Sequence, residues 1–168
     1  MPYTDRFQHA DDVVAHLNGV VPGLADPLLR AKYTGFVSVA AVTVYEMAIK
    51  DIFMEFAQKK NAVFGRYVQS KFNRINGKIR LDVIKDEYIK EFGGRYLERF
   101  KKALDTSSTL YLRSHRRDIR SSYGNLIVWR NDFAHEGAIK ATTTYAEVVQ
   151  AYEDGKHVIH TLSSAMVR

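Results

Sequence analysis

The sequence predicts an all-α antiparallel helical bundle, on three observations. Apolar residues recur at helical spacing, as in Ile49, Ile52, Phe53 and Phe56, with Lys50, Asp51 and Glu55 on the other side. Proline and glycine fall mostly between the apolar stretches, so the connections are short. A chain of 168 residues with 46% hydrophobic content can bury one core and is too apolar for disorder.

The elements follow in order. Asp5 to Leu17 reads as a first helix, capped by Thr4 and ended by Gly19. Pro22-Gly23 and Pro27 mark a turn. From Leu28 to Lys60 there is no proline and only Gly35, and Phe36 to Ala48 is apolar nearly all round, as expected of a central helix. Asn61 to Ile75 reads as another helix. Asn76-Gly77 is a turn, able to close a short hairpin through Ile75 and Ile79. Asp82 to Phe92 is helical and stops at Gly93-Gly94, and Tyr96 to Leu104 continues beyond it. Thr106-Ser107-Ser108 can cap a helix running through Tyr111, Ile119, Leu126 and Trp129 towards Phe133, with Gly137 past its end. Thr144 and Glu147 form a capping box for a last helix through Val148, Tyr152, Val158 and Leu162. One domain over 1–168 is expected, with an N-terminal helix and turn at 1–27 and a core bundle at 28–168.

Composition narrows the chemistry. The chain has no cysteine, which excludes disulfides, zinc–thiolate sites and thiol nucleophiles. Met1 to Asp5 lacks the basic-then-apolar pattern of a signal peptide, and Phe36 to Ile49 is too short and too interrupted to span a bilayer. A cytoplasmic protein without membrane contact is expected. There is no P-loop, GxGxxG, HExxH or GxSxG. His157 and His160 lie three apart, and a two-histidine pair is a poor zinc site, so no metal site and no cofactor are expected.

The net charge of +6 is unevenly placed. Arg66, Lys71, Arg74, Lys78 and Arg80 have no acid among them, and Arg113, Arg116, Arg117 and Arg120 face only Asp118 along the chain. Such clusters concentrate a polyanion. The second cluster is the expected RNA-binding set; the alternative is that these cations simply keep helical faces wet.

One segment stands out: Trp129-Arg130-Asn131-Asp132-Phe133-Ala134-His135-Glu136-Gly137. An Arg, a polar residue directly after it, and a His five residues on occur together at the end of the penultimate helix, and no other Arg stands at that spacing before a His. Here the chain resembles the HEPN superfamily, whose mark is an Arg, four to six intervening residues, then a His. Val44-Tyr45-Glu46-Met47 in the apolar helix, and the Asn76-Gly77 turn before a helix ending in Phe92-Gly93, resemble the RiboL-PSP type. The resemblance runs from about Leu28 onward. It departs where HEPN toxins silenced by nucleotide transfer carry a Tyr two residues after the His: that position is Gly137.

The resemblance implies a HEPN-type bundle and a metal-independent endoribonuclease, the toxic effector of a defence or toxin–antitoxin system. The residue types suit that chemistry. The ribose 2′-OH is RNA's own nucleophile, and histidine can move its proton or protonate the leaving 5′-oxygen. A guanidinium can bind two oxygens of the pentavalent phosphate. Arg130 and His135 are therefore the expected catalytic pair. Asn131 shares a helical face with His135 and would orient the imidazole or hold a phosphate. One His cannot easily serve as both acid and base, and the resemblance implies a homodimer that brings two motifs together. An antitoxin or sensor protein is a further expected partner. Alternatives stay open at each residue. Arg130 can pair with Asp132, Glu136 or Glu46, and His135 can cap the helix end. Glu46 can pair with Lys50 or face the motif. At the level of the whole chain, a non-catalytic HEPN module binding RNA, nucleotide or protein is the alternative.

Overall fold

A computed structural model describes residues 2–140 and 142–167, apart from the Val167 side chain. The outermost limits of the expected domain, residues 1 and 168, lie outside them. The chain is all-α, with seven helices and no strand among the described residues. A 3-10 turn, Tyr3–Arg6, leads into α1, Phe7–Asn18. The long helix α2 is Pro27–Lys60 and α3 is Ala62–Phe72. The fourth helix, α4, spans 81–92 and contains a π-helical stretch, Ile84–Ile89. It is followed by α5, Gly94–His115, α6, Ile119–Glu136, and α7, Tyr145–Val167.

Local chemistry sets most of these limits. Asp26 caps α2, accepting from the Leu28 N–H at 2.8 Å, and Pro27 occupies the first turn, where its missing N–H costs nothing. Asn61 ends α2 in an extended conformation and caps α3 through the Val63 N–H at 2.7 Å. The box at Thr144 and Glu147 forms as the sequence suggests, with reciprocal bonds of 2.7 and 3.2 Å. Three expectations differ. Thr4 makes no side-chain cap, because a 3-10 turn precedes α1. The Asn76-Gly77 turn carries no hairpin strands. Thr106 to Ser108 do not start a helix: Thr106 bonds back to the Lys102 carbonyl at 3.0 Å, and Ser108 reaches Asp118 at 2.5 Å. The break comes instead at Arg116, in the left-handed conformation, and Asp118 caps α6.

α2 is the spine. Its Val37, Ala41, Val44, Tyr45, Ala48, Ile49 and Phe53 are at most 1% exposed. Tyr45 stacks between Tyr123 of α6, 5.5 Å away, and Tyr152 of α7, 5.8 Å away, and donates its hydroxyl to the Tyr152 carbonyl. α1 buries Phe7, Ala10, Val14 and Leu17 in the same core, and Arg6 holds Asp51 of α2 at 2.6 Å. The first helix is thus part of the bundle.

α2 and α6 run antiparallel in a fixed register: Gly35 meets Phe133, and Tyr45 meets Tyr123. At Gly35 the Phe133 ring packs directly on α2, since a Cβ there would lie 2.0 Å from Phe133 Cδ2. Gly35→Ala should therefore destabilise the protein by about 1–2 kcal/mol in urea denaturation, the overpacking outweighing the roughly 1 kcal/mol gain in helix propensity. A stabilised variant would show that the ring moves freely.

Candidate active site

The last two turns of α6 carry Arg130, Asn131 and His135. The helix ends at Gly137, whose φ of 70° suits glycine and whose N–H bonds the Phe133 carbonyl at 2.9 Å. Phe133 anchors the motif on Gly35. From that anchor, the step of about 100° per residue turns Arg130 to the flank of the helix and Asn131 and His135 outward. Asn131 and His135 share a face. Arg130 and His135, five apart, leave the axis about 140° from one another.

Arg130 lies on the connection between α3 and α4. Its guanidinium covers Gly77 so closely that a Cβ there would sit 2.0 Å from Nη2. Asn76 and Gly77 both have positive φ, 42° and 76°, so this turn is shaped by the Asn-Gly pair. Nη1 of Arg130 donates to Asn131 Oδ1 at 2.8 Å. No ion pair joins Arg130 to Asp132, Glu136 or Glu46 among the described residues. A half-buried cation is held by a neutral amide and a glycine turn. Asn131 thus accepts from Arg130; the sequence had suggested that it orients the imidazole or holds a phosphate. Asn131 also borders a groove of about 370 Å³ shared with Arg80, Leu81, Asp82, Gly124 and Val128.

His135 is exposed, with no hydrogen bond to another described side chain. Beside it, Asp132 keeps a buried Oδ2 without a hydrogen-bond partner. Glu46 takes the simpler of its two alternatives: Oε1 accepts from Lys50 Nζ at 2.7 Å, and no hydrogen bond joins it to Arg130 or His135. Tyr88, whose hydroxyl pKa is pushed up to about 12 by burial and then by Glu87 and Glu46, donates to the Lys78 carbonyl at 2.8 Å, next to Gly77.

In the expected RNA-binding set, two of the four arginines are engaged in ion pairs. Arg117 is clamped to the fully buried Asp154 of α7, at 2.9 and 3.3 Å, and Arg120 pairs with Asp105 of α5. The acids come from distant parts of the chain, so the local sequence could not show them. Arg113 and Arg116 stay exposed at the α5–α6 junction. His160, set aside as a metal ligand, has its Nδ1 2.8 Å from the Tyr3 hydroxyl, and burial first, then His157 and Lys156, lower its pKa.

Gly35 and Gly77 are the positions that sequence reasoning missed. Each was visible as a glycine; neither could be linked to Phe133 or Arg130 without the packing.

A family model described as RiboL-PSP-HEPN matches residues 4–168. The chain belongs to the RiboL-PSP-HEPN family. The match includes α1, which the resemblance read from the motifs did not reach. No curated protein and no solved structure matches the chain. The family places this HEPN domain in nuclease or RNA-related work in general, and HEPN domains are often ribonucleases. No described helix is long and apolar enough to cross a membrane.

Proposed function

We propose that this HEPN domain is a metal-independent endoribonuclease. It cleaves RNA by 2′-OH attack, leaves 2′,3′-cyclic phosphate and 5′-hydroxyl ends, and serves as the toxic effector of a defence or toxin–antitoxin system. The observation that carries the reading is the state of Arg130: a preset guanidinium, steered by Asn131 and Gly77, with no ion pair to a carboxylate among the described residues. Such a group is ready to meet the charge that grows on a phosphorane. His135, exposed and without a side-chain hydrogen bond among the described residues, is free to move a proton. No group of three or more His, Asp or Glu side chains able to hold a metal ion occurs among the described residues.

Within one chain, Arg130 and His135 diverge around α6. A second copy resolves this. An isologous pair with α6 near the two-fold axis sets the exposed face of Gly124, Val128, Asn131 and His135 against its own image. Two His135 side chains then flank one scissile phosphate, as acid and base, with the two Arg130 groups beside it. Glu46 keeps its pair with Lys50 in this reading.

The test is incubation of the purified protein with mixed cellular RNA in a metal chelator, beside a His135→Ala control, with the oligomeric state measured by light scattering. Cleavage by the dimer that leaves cyclic phosphate ends supports the proposal. Strict dependence on a divalent metal, or cleavage by a stable monomer, contradicts it. Binding without cleavage would leave the domain as a recognition module.

A further inference from the structure

The connection over residues 73–80 is more than a seat for Arg130. Its backbone is pinned from below: Tyr123 donates to the Ile79 carbonyl at 2.6 Å and Tyr88 to the Lys78 carbonyl at 2.8 Å. Ile75 and Ile79 are buried, 6% and 0% exposed, while Arg74, Asn76, Lys78 and Arg80 face outward. Arg80 is consumed by Asp82, at 3.0 and 3.1 Å. Arg74 and Lys78 have no ion pair among the described residues, nor a side-chain hydrogen bond there, and residues 66–80 include no acid. Two free cations on a rigid turn thus flank the one glycine on which the Arg130 guanidinium rests.

We infer that this turn is the track for the RNA backbone: Arg74 and Lys78 hold the phosphates neighbouring the one that Arg130 engages. The inference rests on the ribonuclease proposal for its choice of polyanion. The physical case is proximity together with free charge. Successive Cα atoms are about 3.8 Å apart, so Lys78 lies one residue from the glycine that defines the Arg130 position. The other basic cluster fails on both counts. Arg117 and Arg120 are neutralised, and α6 rises roughly 24 Å between Ile119 and His135, which leaves Arg113 and Arg116 at its far end. The ligand is single-stranded RNA, whose backbone can follow a turn and can bring a 2′-OH in line with the scissile bond. The pinning tyrosines give the track a fixed shape, so that phosphate contacts set the register of the strand without reading its sequence.

The experiment uses His135→Ala protein, so that a short labelled single-stranded RNA survives, and reads affinity by fluorescence anisotropy across a salt series. Adding Arg74→Gln with Lys78→Gln should weaken binding about tenfold or more at low salt and flatten the plot of log K against log salt by about 1.4, near 0.7 for each phosphate no longer neutralised. Arg113→Gln with Arg116→Gln should change affinity less than about twofold. Both pairs are exposed, and circular dichroism checks that each variant remains folded. Unchanged binding in the Arg74/Lys78 variant, or a loss confined to the Arg113/Arg116 variant, overturns the inference, as does failure of the His135→Ala protein to bind RNA at all. If the unmodified protein cleaves nothing and yet the Arg74/Lys78 pair is needed for binding, the cleavage proposal falls while the track stands.

Discussion

His135→Ala should lower RNA cleavage by about 10²–10⁴-fold while leaving affinity for RNA within a few-fold, because it removes proton transfer and leaves the phosphate-binding cations in place. Arg130→Lys should be comparably impaired. An ammonium carries the same charge but cannot donate to two phosphate oxygens and to Asn131 Oδ1 in one plane. The nucleophile gives an independent check. A substrate with 2′-deoxyribose at the cut site should resist cleavage altogether, and an all-DNA strand should survive. Gly77→Ala should imitate part of the arginine loss by pushing the guanidinium off its seat. In an Arg130→Ala background the same glycine change should cost no further activity, which separates positioning of Arg130 from general damage to the turn. Cleavage kinetics on a defined oligonucleotide decide all of these. An Arg130→Lys variant with full activity would show that charge alone suffices and would end the two-pronged role.

What the sequence made legible was whatever depends on near neighbours. Helical periodicity in Ile49 to Phe56, the capping box at Thr144 and the turn at Asn76-Gly77 are local, and each appears in the structure. The Arg130–His135 spacing, with its place at the end of a helix, was enough to suggest the family. Contacts across the bundle were not legible. Glu46 could have faced the motif or Lys50 with equal local logic, and only the fold chose Lys50. The run Thr106-Ser107-Ser108 looked like a helix start because hydroxyls compete for backbone groups there. Ser108 instead spends its hydroxyl on Asp118, so α5 continues to His115. The four arginines from Arg113 to Arg120 looked like one charged face because the acids that divide them, Asp105 and Asp154, come from elsewhere in the chain.

Arg117→Ala should act as a stability lesion and leave intrinsic RNA affinity unchanged. Asp154 is fully buried and accepts from Arg117, Tyr111, Ser122 and Gln150, so that α5, the α5–α6 junction, α6 and α7 all meet on one carboxylate. Burial alone would raise the Asp154 pKa, but these donors outweigh it and hold the carboxyl below its ordinary value. A carboxyl depressed in the folded state adds stability above its unfolded pKa of about 3.9 and loses it as pH falls through the folded value. Without Arg117 the strongest opposing influence is gone, and a charged group stays buried with only neutral donors. The melting temperature at neutral pH should fall by about 5–10 °C. Losing the Arg117 donor moves the Asp154 pKa upward relative to the parent and places the penalty on the charged form, so the gap between variant and parent should narrow as pH falls towards about 4. Adding Asp154→Asn to Arg117→Ala should recover part of the loss by removing the buried charge. Thermal melts of the parent, the single and the double variant at two pH values test the account. A gap that widens on acidification, or a double variant less stable than Arg117→Ala, would mean that Asp154 is not held as a buried anion.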